Sequence, residues 1–241
     1  MLLGAAASLG FAGAIARLHG GGLGTALGVT LAGWLAVSVV MAGGAALLVD
    51  QGGAAVDRYG VPNGLSALRA WLCVPLLLDT GWMLPGRLGL ILWVAVGGSV
   101  GMLDAVDGWW ARRFGPVTRL GKAIDPAMDV VYFSVAAIGN VWLGIFTPWL
   151  AALVLFRYLA PMLLTPVVFA LRRRPELVRT EWGKRNTVLT GVVLTVCMLV
   201  DVFDGPVALV NAVVGLPLLV PTMLLHFRSL AVRVAQSPVA P

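Results

Sequence analysis

Apolar runs of roughly twenty residues, each closed by a short polar cluster, follow one another along the chain with little between them. A run of that length is what the roughly 30 Å hydrocarbon core of a bilayer asks of a helix rising 1.5 Å per residue. The pattern predicts helical spans near residues 2–17, 23–49, 65–84, 87–110, 125–146, 148–171, 187–203 and 206–227. The first run is short and rich in Gly and Ala, compatible with a re-entrant segment. Residues 1–16 lack the basic start of a secretory signal. Gln51, Asp57 and Arg58 interrupt the pattern after the second run. Residues 1–50 therefore read as a hydrophobic extension of one or two helices, and residues 51–241 as a membrane domain. The expected fold class is an all-α integral membrane protein with a six-span core.

Composition agrees. Hydrophobic residues make up 59% of the 241 and charged residues 12%, against about 45–50% and about 25% in soluble domains. A soluble domain is excluded. The 30 glycines suit close helix packing in a membrane. Cys73 and Cys197 sit in separate apolar runs, so neither a disulfide framework nor a thiolate metal site is expected. The net charge of +6 marks topology and not nucleic-acid binding, because the basic residues flank the spans. One set of loops carries Arg58, then Arg112, Arg113, Arg119 and Lys122, then Arg172, Arg173, Arg174, Arg179, Lys184 and Arg185, then Arg228 and Arg233. The opposite loops carry Arg87 beside Asp79, Asp201 and Asp204. Lys and Arg accumulate on the cytoplasmic side, so the basic loops are expected there.

The acidic residues are the chemical signal. Eleven exist, and Asp104, Asp107, Asp125 and Asp129 are gathered in one short stretch. Separations of three and four residues put each pair on one helix face. The first pair closes the span that begins near residue 88. The second is expected in the first turns of the next span, where Pro126 is tolerated. A short loop over residues 113–120 makes the two helices antiparallel neighbours, so the four carboxylates can meet at one depth. Hard oxygen ligands so placed suit Mg²⁺, Mn²⁺ or Ca²⁺. Two other readings stay open at this point. Solvated interfacial charges could pair with Arg112, Arg113 and Lys122, or an ion-coupled transporter could carry its ion on the cluster. A transporter does not account for Gly108, Ala111 and Arg112 at their offsets, nor for acids at the membrane interface instead of the midplane.

Asp104-Ala-Val-Asp107-Gly108-Trp-Trp-Ala111-Arg112, followed after eight residues by Gly121-Lys-Ala-Ile-Asp125-Pro-Ala-Met-Asp129, resembles the signature of the CDP-alcohol phosphotransferase family at every fixed position. Pro62-Asn63-Gly-Leu-Ser66-Ala-Leu-Arg69 resembles the stretch that opens that family's first core span. Membrane prenyltransferases also use paired Asp motifs, but on widely separated spans. The resemblance, over about residues 58–230, implies transfer of a phosphatidyl group from CDP-diacylglycerol or a related CDP-lipid to a small alcohol, with release of CMP. It implies two divalent ions, Mg²⁺ or Mn²⁺, held by Asp104, Asp107, Asp125 and Asp129, with Asp129 also the catalytic base. It places Asn63, Ser66, Gly108, Ala111, Arg112, Thr118 and Gly121 at the CDP-lipid donor.

For the acceptor, Gly183-Lys184-Arg185-Asn186-Thr187 resembles a stretch of the glycerol 3-phosphate-using and cardiolipin-synthase-like members. It is expected in a loop, where Lys184 and Arg185, with Arg157 from the preceding span, would bind an acceptor phosphate. The alternative for Arg157 is a helix-pairing or snorkelling role. Val130 and Tyr158 depart from the glycerophosphate branch, which has Lys and Glu there. Glycerol 3-phosphate is the first expectation and an inositol phosphate the second. The resemblance also implies a homodimer in the cell's inner or plasma membrane, in contact with membrane lipids and with its active site facing the cytoplasm. Gly97-x-x-x-Gly101 offers a close helix contact, within the chain or between copies.

Overall fold

The computed structural model of the protein describes residues 1–50, 52–56, 59–82, 86–115, 118–171 and 180–237. Gln51, Asp57 and Arg58 of the expected seam, and Arg172, Arg173, Arg174 and Arg179 of the basic loops, lie outside the described residues. Long helices carry the described chain: α1 (Leu2–His19), α2 (Leu23–Gly43), α3 (Gly60–Gly81), α4 (Arg87–Phe114), α5 (Arg119–Trp142), α6 (Pro148–Ala170), α7 (Glu181–Val202) and α8 (Val207–Gln236). All but α5 are apolar and long enough to cross a membrane. The protein is thus an all-α, multi-pass membrane protein. In α5 the charged residues Arg119, Lys122, Asp125 and Asp129 occupy the N-terminal half and shorten its apolar length.

Three helices begin earlier than hydropathy places them. Instead of residues 65, 125 and 187, α3 starts at Gly60, α5 at Arg119 and α7 at Glu181. For α5 and α7 the reason is capping, which hydropathy does not register. Thr118 Oγ1 accepts the Gly121 N–H at 3.1 Å, and Thr180 Oγ1 accepts that of Gly183 at 2.9 Å. Each hydroxyl satisfies a first-turn donor and starts the helix ahead of its apolar stretch. Two expectations change as a result. Lys184 and Arg185 stand in the first turns of α7 and not in a loop. The connection between α4 and α5 contracts to residues 115–118, with Asp125 and Asp129 two to three turns into α5.

The chain divides into two compact units, Met1–Gly139 and residues 140 onward. In the first, Met41 of α2, Ala67, Ala70 and Trp71 of α3, and Leu120, Ile124 and Met128 of α5 form one buried apolar cluster. Ala12 and Ala16 of α1 pack with Ala26 of α2 against Leu78 and Trp82. His19, at the end of α1, has Nε2 3.2 Å from Asp79 Oδ1 of α3 and Nδ1 against the Trp82 carbonyl. Between α4 and α5, the Tyr132 hydroxyl donates to the Gly97 carbonyl at 3.0 Å. A Cβ on Gly101 would run into the Tyr132 phenol. The Gly97-x-x-x-Gly101 face therefore receives a side chain of its own chain.

In the second unit, residues 211–215 of α8 form a π-helical turn. The fully buried Asn211 accepts from the Thr147 N–H at 3.1 Å and donates to the Ile145 and Val207 carbonyls at 3.0 and 2.7 Å. It pins the α5–α6 turn to α8 and satisfies backbone groups that a membrane interior would leave stranded.

Candidate active site

Asn63, Ser66 and Arg69 recur every three residues on α3 and so form one stripe along the helix. All three are buried, and each meets a different part of the acidic motif. Asn63 Nδ2 donates to Thr118 Oγ1 at 3.1 Å, and to its own helix at the Tyr59 carbonyl at 2.7 Å. Since Thr118 Oγ1 also caps α5, Asn63 is tied to the start of the helix that bears Asp125 and Asp129. Gly121 is required here: a Cβ would stand 2.8 Å from Asn63 Oδ1. One turn further along, Ser66 Oγ donates to Asp107 Oδ2 of α4 at 2.7 Å. Another turn on, Arg69 divides its guanidinium, with Nη1 2.9 Å from Asp104 Oδ1 of α4 and Nη2 3.1 Å from Asp129 Oδ1 of α5.

The structure thus brings Asn63, Ser66, Asp104, Asp107, Thr118, Gly121 and Asp129 into one network, with Asp125 half-buried one turn before Asp129. Arg69 belongs to the network and was absent from the residues assigned roles above. Its signal was present: a lone arginine inside an apolar run has to find an acidic partner. Arg112 is exposed near the end of α4. The atoms closest to a Cβ on Gly108 belong to the Arg112 guanidinium, the nearest at 3.2 Å. Gly108 is therefore not explained by a neighbouring helix packed against it. It leaves an approach to the backbone bordered by the exposed Arg112 side chain, with Ala111 keeping the next turn small.

The helix lengths set the depth of this network. With 28 residues α4 is about 42 Å long, which exceeds the roughly 30 Å apolar core. It is therefore long enough for its last turns, with Arg112 and Arg113, to reach past that core. In those turns Trp109 meets Trp110 and Phe114 edge-on, and Trp110 lies tilted against Phe114; aromatic residues of this kind are favoured in an interfacial belt.

Divalent ions fit the donor chemistry. Asp104, Asp107 and Asp129 bring three carboxylates, all hard oxygen donors, to the neighbourhood of one buried guanidinium, that of Arg69. Among the described residues, no three acidic, histidine or cysteine groups are drawn together as the ligands of one ion. Asp104 and Asp129 are instead engaged by Arg69, and Asp107 by Ser66.

The expected acceptor residues lie in the second unit. Arg157 of α6 is buried and donates from Nε to Asn186 Oδ1 at 2.8 Å and from Nη2 to the Gly183 carbonyl at 3.2 Å. Asn186 Nδ2 passes the network to Thr222 Oγ1 of α8 at 2.7 Å. Thr180 Oγ1 lies 2.7 Å from Nδ1 of the buried His226. Arg157 thus joins α6 to the Gly183–Asn186 segment of α7. Lys184 pairs with Glu181 at 2.7 Å on the exposed surface, and the Arg185 guanidinium stacks 4.9 Å over Trp182.

Comparison with known proteins adds two findings. The model of a family described as CDP-alcohol phosphatidyltransferase matches residues 59–219. A curated protein of Streptomyces coelicolor, "Cardiolipin synthase (CMP-forming)", is 37% identical over 57 residues. That match spans about a quarter of either chain, 24% of this one and 26% of the relative.

Proposed function

The chain belongs to the CDP-alcohol phosphatidyltransferase family, and from that premise we propose that it transfers a phosphatidyl group from CDP-diacylglycerol or a similar CDP-lipid to an alcohol, releasing CMP. The observation that carries this reading is the stripe on α3, which gathers Asp104, Asp107 and Asp129, the hard oxygen groups that an ion bound to a lipid diphosphate would need.

Asp104, Asp107, Asp125 and Asp129 would hold two divalent ions, Mg²⁺ or Mn²⁺. When bound, such ions neutralise a diphosphate and stabilise charge on the attacking and leaving oxygens. The protein's own residues do the placing. Ser66 fixes the rotamer of Asp107, and Asn63 with Thr118 fixes the start of α5. Arg112, exposed and planar, meets a donor phosphate, and Gly108 and Ala111 leave the donor room beside α4. Asp129 accepts the proton of the acceptor hydroxyl. The site would face the cytoplasm, since Arg112, Arg113, Arg119 and Lys122, all exposed, lie between Asp107 and Asp125 in the sequence.

The acceptor is a phosphorylated alcohol, glycerol 3-phosphate first and an inositol phosphate second. Lys184 and Arg185 would bind a phosphate of this kind, and Arg157 bonds to the start of α7 that carries them. A second reading has the Streptomyces relative in its favour: a phospholipid alcohol as acceptor and cardiolipin as product.

The test is CMP release by the purified chain from CDP-diacylglycerol with each acceptor in turn, followed by identification of the lipid product. Activity is expected with Mg²⁺ or Mn²⁺, to vanish in EDTA and to return when the ion is restored. Full activity in EDTA refutes the metal assignment. Turnover of no CDP-lipid with any acceptor refutes the reaction.

A further inference from the structure

Arg69 is 2% exposed, in the middle of α3 among Ala67, Ala70 and Trp71. A guanidinium in such surroundings is costly unless acidic groups offset it. Its Nε is buried without a hydrogen-bond partner, so the two Nη groups provide its pairing, one to a carboxylate of α4 and the other to a carboxylate of α5. Arginine usually offers its fork to one carboxylate. Here the fork is split, and a planar, rigid group sets the spacing between Asp104 and Asp129.

We infer that Arg69 is a positioning residue and built-in counter-charge: it holds Asp104 and Asp129 together without any ion and weakens the hold of the cluster on a divalent cation. The inference rests on the reading that these aspartates are ion ligands. It follows from two electrostatic facts. Without a cation among them, Asp104, Asp107, Asp125 and Asp129 repel one another across adjoining helices. With Arg69 present, an incoming cation meets a fixed like charge and competes for oxygens already engaged.

Two measurements on the full chain in detergent test this. The first is thermal unfolding in EDTA, which involves no bound ion. Arg69→Gln is expected to lower the melting temperature by roughly 5–10 °C. The double variant Arg69→Gln/Asp104→Asn, which removes one charge of each sign, is expected to recover at least half of the loss. No recovery would mean that Arg69 matters only for packing, and overturns the inference. Should Arg69→Gln fail to fold, the double variant decides: folding supports charge balance and failure overturns it.

The second is Mn²⁺ affinity, read from the electron paramagnetic resonance signal of free Mn²⁺. Arg69→Gln is expected to bind about tenfold more tightly, since a positive charge beside the ion is gone. Arg69→Lys keeps the charge and should bind within about threefold of wild type. It should lose CMP release nonetheless, because a single ammonium cannot span two carboxylates as the fork does. If wild type binds Mn²⁺ and Arg69→Gln binds no more tightly, the inference alone is overturned. If wild type binds no Mn²⁺, the metal reading falls and the inference with it.

Discussion

Within the network the side chains differ in what they do, and substitutions should separate them. Asp104→Asn, Asp107→Asn and Asp125→Asn keep size and remove a charged oxygen ligand. Each is expected to lower CMP release by a factor of about one hundred or more. Ser66→Ala removes only the hydroxyl that orients Asp107, and a partner of that kind is worth roughly 10–100-fold. The order, with Ser66 the milder, is checked by initial rates at saturating Mg²⁺. Lys184→Ala and Arg185→Ala should raise the acceptor KM about tenfold and leave the donor KM nearly unchanged, because charge-assisted contacts to phosphate are the strong ones. Steady-state kinetics with each substrate varied separately decide this. Equal changes in both KM values would reduce the two residues to anchors of α7.

At the level of elements, the acidic site depends on how closely α4 and α5 approach. Gly101 admits the Tyr132 phenol, and the Tyr132 hydroxyl closes the contact on Gly97. Gly101→Leu would force the helices apart and move Asp104 away from Asp129 without touching either. It should abolish activity and lower the melting temperature together. Tyr132→Phe loses one hydrogen bond, about 1 kcal/mol, and should retain activity. A Gly101→Leu chain with wild-type activity would show that helix spacing does not set the site.

For the whole molecule, orientation is the property that charge alone should control. Lys122 is exposed on α5, beside the acidic network. With Cys73 and Cys197 replaced by Ala, a cysteine introduced by Lys122→Cys should react with a membrane-impermeant maleimide in inverted vesicles and stay unreacted in intact cells. The reverse result places the site on the outer face. We further propose a homodimer, to be checked by mass measurement in mild detergent and in bilayers. Its contact is to be sought away from Gly97 and Gly101, which Tyr132 already occupies.

Composition and period were enough to determine that this is an all-α membrane protein. Continuous apolar runs of about twenty residues suit helices, which satisfy their own backbone groups, and not barrel strands, whose residues alternate. The motif spacing was enough to bring Asp104, Asp107, Asp125 and Asp129 to neighbouring helices, since three- and four-residue separations fix a helix face and a short connection fixes the partner. Helix starts were not legible in hydropathy, because Thr118 and Thr180 begin α5 and α7 by capping donors that carry no apolar signal. That is why Lys184 and Arg185, expected in a loop, are helical. The partners of Arg69 and Arg157 were also beyond the sequence. Each is a buried cation whose meaning depends on which acceptors the folded helices bring to it: carboxylates of α4 and α5 for one, an amide and a carbonyl of α7 for the other. Local spacing decides which residues share a helix face; only the packing of helices far apart in the chain decides what that face meets.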